Sequence, residues 1–170
     1  MLNDCKVKQI IEFVRDKEYN SLNEAYIFGC ADDTFCVSYA LGGYCISYEP
    51  IMKDNKINSY VNSYFYDRVA NNWIYAVLPD ANEVIALLHE IGHIKYMELY
   101  GSIKNKPYKE VQEKEYLTLE QGLKAYREIP TEKYADDFAI DFINKYAAEL
   151  TNLLDPSQTI ESVKEFLEIE

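Results

Sequence analysis

A chain of 170 residues, 48% hydrophobic and 27% charged, suits one folded, soluble domain that buries roughly 70% of its unfolded surface. Its formal net charge of −12 argues against direct contact with a phosphate backbone, which needs clustered Lys and Arg, and suits a basic partner protein. The chain start lacks the basic-then-apolar pattern of an export signal, and the longest uncharged run, residues 34–48, is too polar to span a bilayer.

The expectation is thus a cytoplasmic protein without a membrane span. Its four cysteines, Cys5, Cys30, Cys36 and Cys45, read as reduced thiols whose spacing fits no common zinc knuckle. Asn3 or Asp4 can cap a first helix with Val7, Ile10, Ile11 and Val14 on one face, ending near Tyr19. Residues 25–28, 35–41 and 44–48 read as strands, the last two joined by a hairpin at Gly42-Gly43. Residues 55–70 carry a helical stripe. Residues 73–78 read as a strand closed by Pro79. Asp80 is placed to cap a helix that runs to about Tyr100 and stops at Gly101. Residues 102–107 are loop-like, and 109–128 read as one charged surface helix. Pro130-Thr131 opens a further helix, with Thr131 able to cap it. Asp155-Pro156 ends that helix, and Ser157 is placed to cap a short last one.

Within the helix expected after Asp80, the segment Val84 to Ile94 is apolar or glycine except for His89, Glu90 and His93. The chain has only these two histidines. Four residues apart, they project from one face of a helix, one turn above the other. Two imidazoles so placed can reach one Zn²⁺. Glu90 then stands beside the ion rather than on it, where its carboxylate can act as general base toward an activated water. Gly92, unfavourable within a helix, suggests a close approach by another backbone or a functional demand. The competing reading makes both histidines ordinary hydrogen-bonded core residues. Against it stands the lone carboxylate in an apolar run, costly to bury unpaired.

A catalytic zinc site takes three protein ligands. With no third histidine, Asp, Glu or Cys must supply the third, and Glu132 is the leading candidate, with Glu128 second. Asp136 shares a helical face with Glu132 and can accept the free ring N–H of a ligating histidine. Ala135 and Ala139 are small enough to let this helix approach Gly92 closely. The competing reading of Glu132 and Asp136 is a solvated acidic face in a chain with 29 acidic residues.

His89-Glu-Ile-Gly-His93 followed by Glu132-x-x-Ala135-Asp136-x-Phe138-Ala139 resembles the ImmA/IrrE family of zinc metallopeptidases, of the gluzincin type. The resemblance covers roughly residues 73–143. It implies a single α+β domain, with a short, mainly antiparallel sheet flanked by helices and the HExxH helix packed on the ExxAD helix. It implies zinc held by His89, His93 and Glu132, Glu90 as catalytic base, and Asp136 behind a ligand. It also implies cleavage of an intracellular DNA-binding repressor, often in phages or mobile elements. The chain departs from the family in having Leu88 where Ala often precedes the first histidine.

The expected activity is zinc-dependent hydrolysis of a protein substrate. Tyr126, Arg127 and Tyr96 are candidates to stabilise the oxyanion, and a substrate strand could add along residues 73–78. The alternative is a non-catalytic antirepressor that grips its partner through the same fold.

Overall fold

The computed structural model describes residues 3–18, 25–29, 36–40, 43–48, 77–78, 80–116 and 118–167. Helix α1 (Asp4–Glu18) starts where Asn3 Oδ1 accepts the Lys6 backbone N–H at 3.0 Å, a cap that satisfies a first-turn donor. Val7, Ile10, Ile11 and Val14 are buried on its inner face, as their spacing predicts. Strands β1 (Ala25–Gly29), β2 (Cys36–Ala40) and β3 (Gly43–Tyr48) follow. Helix α2 (Ala81–Tyr100) carries the histidines. It ends at Gly101, whose φ of 83° is open to glycine and whose N–H reaches Met97 O at 2.8 Å.

The expected α+β fold with a mainly antiparallel sheet is corrected. Six helices make up most of the described residues. The strands form a small mixed sheet of order β1-β3-β2, with β1 parallel and β2 antiparallel to β3. Ala40 pairs with Gly43, so Gly43 belongs to β3 rather than to the connection. The strand expected over 73–78 is corrected where it is described: Val77 is helical and Leu78 sits in a bend. Leu78 is buried in the core, and a short apolar run can meet that need without joining a ladder. Residues 73–76, the expected edge for a substrate strand, and the helix expected over 55–70 lie outside the described residues.

Asp80 precedes α2 in a left-handed conformation (φ 55°, ψ 41°), which Asp adopts more readily than most residues. Its side chain makes no cap. Instead the carboxylate accepts from Lys6 Nζ at 3.1 Å and ties the start of α2 to α1.

The single helix expected over 109–128 is two. Helix α3 (Asn105–Gln112) begins earlier than expected, and α4 (Leu119–Arg127) starts afresh at Thr118, whose Oγ1 accepts the Gln121 N–H at 3.2 Å. Neither buries a residue fully. Helix α5 (Pro130–Leu154) opens on Pro130, departs from helical geometry at Tyr146 (φ −119°, ψ 27°), and buries Ala135, Phe138, Ala139, Phe142 and Ile143. Helix α6 (Ile160–Leu167) packs on α5. Thr159, not Ser157, caps it, since Thr159 Oγ1 accepts the Ser162 N–H at 3.0 Å.

Helix α2 lies at the centre. From Val84 to Ile94 every residue but Ala86 is buried, and a helix apolar on all sides needs cover all round. Helix α5 covers one side and the sheet lies against another. No helix among the described residues is long and apolar enough to cross a membrane.

Candidate metal centre

Helices α2 and α5 meet at Gly92. A Cβ built on Gly92 would fall 2.7 Å from Ala135 Cα and 3.0 Å from Ala135 O. The glycine thus removes the one atom that would hold the two backbones apart. Along α2, His89 lies three residues before Gly92 and His93 directly after it. Along α5, Glu132 likewise lies three residues before Ala135 and Asp136 directly after it. The crossing point therefore decides which groups face each other.

The structure brings His89, His93 and Glu132 together, all buried, with ligand atoms within 4.8 Å of one another. This group can hold a metal ion. Nε2 of His89 lies 3.3 Å from Glu132 Oε2, and Nε2 of His93 lies 3.4 Å from Glu132 Oε1. The imidazoles meet edge to face, with centroids 4.5 Å apart. Their other nitrogens are engaged elsewhere. His89 Nδ1 donates to Asp136 Oδ1 at 2.8 Å, and His93 Nδ1 is 3.1 Å from Thr131 Oγ1.

Charge at the site follows from burial and neighbours. Burial disfavours the imidazolium of His89, but hydrogen bonds to Asp136 and Glu132, with Glu90 nearby, outweigh it and raise its pKa to about 9. For His93, burial and the charge on His89 act together and lower the pKa to about 4. Burial pushes the Glu132 carboxyl upward, but the two histidines and Tyr108 overcome it and bring the pKa to about 2. Without an ion, a protonated His89 faces an ionised Glu132, while His93 is neutral.

Each expected site residue has a place. Glu90 is buried beside the histidines, and its charge acts on His89 and Tyr126. Asp136, fully buried, holds His89, and its Oδ1 also accepts from Arg127 Nη1 at 2.9 Å. Its Oδ2 has no hydrogen-bond partner among the described residues. Arg127, a candidate for the oxyanion role, has its guanidinium on the carboxylate that orients His89. Tyr126 stands beside Glu132, where burial and that carboxylate push its phenol pKa up. Tyr96 packs with Tyr100 and Tyr134, at ring-centroid distances of 4.8 and 5.6 Å, on a groove that Thr131 also lines. Glu128, the second candidate ligand, is exposed at the end of α4 with its carboxylate 3.7 Å from Lys133 Nζ.

Two contributors were missed in the sequence. Tyr108 on α3 donates to Glu132 Oε1 at 2.7 Å, and nothing in the sequence distinguishes it among 16 tyrosines. Thr131 was read as a helix cap, but Ile129 occupies that position and makes no side-chain cap, and the Thr131 hydroxyl meets His93 instead. Its place directly before Glu132 was the available signal. Compared with protein-family models, curated proteins and solved structures, the chain finds no match.

Proposed function

We propose that this chain is a zinc-dependent endopeptidase, with His89, His93 and Glu132 as ligands and Glu90 as general base. The observation that carries this reading is the separation of the donors. Bonds of about 2.0–2.1 Å in a tetrahedral zinc site set neighbouring donors about 3.3–3.4 Å apart. Nε2 of His89 lies 3.3 Å from Glu132 Oε2 and Nε2 of His93 lies 3.4 Å from Glu132 Oε1, and ligand atoms of all three residues lie within 4.8 Å of one another, close enough to gather around one small cation. Two nitrogens and a carboxylate also match the donor preference of zinc and leave a position open for substrate or water.

Zinc, when bound, supplies Lewis-acid activation of water and of the scissile carbonyl. The residues do the rest. Asp136 holds the Nδ1 proton of His89, so that Nε2 keeps its lone pair, and Arg127 braces Asp136. Glu90 takes a proton from the attacking water as the new C–O bond forms. It returns that proton to the amide nitrogen as the C–N bond breaks. Tyr126, beside Glu132, is, with Arg127 and Tyr96, a candidate to donate to the developing oxyanion. The proposed substrate follows the motif resemblance: a basic, DNA-binding repressor in the cytoplasm, drawn to a chain of net charge −12.

The test is Glu90→Gln. The wild type purified without added metal should carry about one zinc per chain, and the variant should keep it. Repressor cleavage should fall by about 10²–10⁴-fold, the usual contribution of a general base. A variant with unchanged biological activity would mark a non-catalytic antirepressor, and a wild type without zinc would sink the metal reading.

A further inference from the structure

The geometry points to the groove between α3 and α4 as the subsite that takes a large apolar side chain of the substrate, a few residues from the bond that is cut. This inference rests on the peptidase reading above and adds to it a substrate preference. Val111, Tyr116, Leu119, Gly122, Leu123 and Tyr126 line the groove, whose volume is about 480 Å³. On α4, Leu119, Leu123 and Tyr126 follow helical spacing, and such a stripe normally faces a core. Here neither α3 nor α4 buries a residue fully, and Leu119 is 67% exposed. A concave apolar face left at the surface marks a binding site.

Where the groove leads says what it receives. Tyr126 belongs both to the groove and to the surround of the metal centre. Its ring meets that of Tyr108 with centroids 5.8 Å apart, and the Tyr108 hydroxyl lies 2.7 Å from Glu132 Oε1. The next residue, Arg127, holds Asp136. A polypeptide lying across the centre, at about 3.3 Å of extended chain per residue, therefore brings a side chain to the groove within a few residues. No charged side chain lines it, so Leu or Phe suits it and Lys or Arg would be left unpaired.

Gly122 supports the same reading. Its φ lies outside the left-handed region, and a Cβ there would stand 3.4 Å from Tyr116 Cδ2, an ordinary contact with a side chain. Neither backbone nor packing calls for glycine, which after proline is the least favourable residue inside a helix. What the missing side chain does is leave the groove open beside Tyr116.

The test uses the full-length, zinc-loaded chain and a library of random-sequence peptides, with cut sites read by mass spectrometry. The sites should share a large apolar residue at one fixed position. In the best-cut peptide, changing that residue to Ala should lower kcat/KM by about 10–100-fold, the worth of burying one such side chain. Gly122→Leu fills the groove and favours the helix. It should keep the zinc content and at least the melting temperature of the wild type, yet cut the two peptides at similar rates. Leu119→Ala should shrink the difference between them. Cutting without an apolar preference, or a preference that Gly122→Leu leaves intact, would overturn the subsite and leave the peptidase reading standing. A chain that cuts no peptide would instead fail the peptidase reading. The groove is then decided by fluorescence anisotropy with labelled peptides carrying Leu or Ala at the centre: tighter binding of the Leu peptide, lost in Gly122→Leu, supports it, and equal binding overturns it. A dimeric wild type made monomeric by Gly122→Leu would also overturn it, since a second copy of the chain would then fill the groove.

Discussion

Gly92 and Ala135 lie so close that a methyl group on Gly92 would overlap the Ala135 backbone, with Cβ only 2.7 Å from Cα. The clash is with main chain, so no side-chain rotation relieves it, and the helices must separate. Gly92→Ala should therefore lower stability by roughly 1–3 kcal/mol, the usual cost of overpacking, despite alanine's better helix propensity. It should also move His89 and His93 away from Glu132. Thermal melts and zinc content check this. A variant of wild-type stability with full zinc would show that the crossing does not control the site.

Asp136 is fully buried and meets both His89 and Arg127. Asp136→Ala should free the His89 ring to rotate and weaken zinc binding by about 10–100-fold. Arg127→Ala removes a guanidinium that compensates a buried carboxylate, which should destabilise the protein by about 3–5 kcal/mol. Equal melting of Arg127→Ala and wild type would count against the pairing.

Metal binding should release a proton. His89, with its pKa raised to about 9, is protonated at pH 7 in the metal-free protein and must lose that proton to become a ligand. His93, lowered to about 4, needs no such loss. Calorimetry in buffers of different ionisation enthalpy should find about one proton released per zinc at pH 7. Affinity should fall about tenfold per pH unit as pH drops below about 9. A pH-independent affinity between 6 and 8 would contradict the arrangement.

The same shifts set the stability of the metal-free protein. The raised pKa of His89 contributes stability that is fully present below about 6.5 and is lost as pH rises through about 9. The lowered pKa of His93 contributes stability that is present above about 6.5 and is lost as pH falls toward about 4. Glu132 adds a further loss from about 4.5 down to about 2. Metal-free protein should therefore melt highest near pH 6.5. A melting temperature that climbs steadily from pH 5 to 9 would show that these groups do not dominate.

The local chemistry of the centre was readable in the chain because it rests on helical periodicity. Two histidines four apart, a carboxylate between them and an apolar surround specify a buried imidazole pair on one helix, whatever that helix packs against. The ends of that helix, the opening of α5 at Pro130 and the buried face of α1 were legible for the same reason: caps, breakers and stripes act over a few residues. The fold class was not, because a short apolar run such as Val77-Leu78 meets its need for burial equally well in a strand or in a helical turn, and only the neighbours decide.

Tertiary structure alone decided which distant side chains complete the site. The approach of α5 to α2 at Gly92 selects Glu132 and leaves Glu128 outside. It turns Arg127 onto Asp136, and the placement of α3 brings Tyr108 to Glu132 across 24 positions of sequence. Such contacts depend on interhelical distance and angle, which summed packing sets. No residue type or spacing in one segment encodes them.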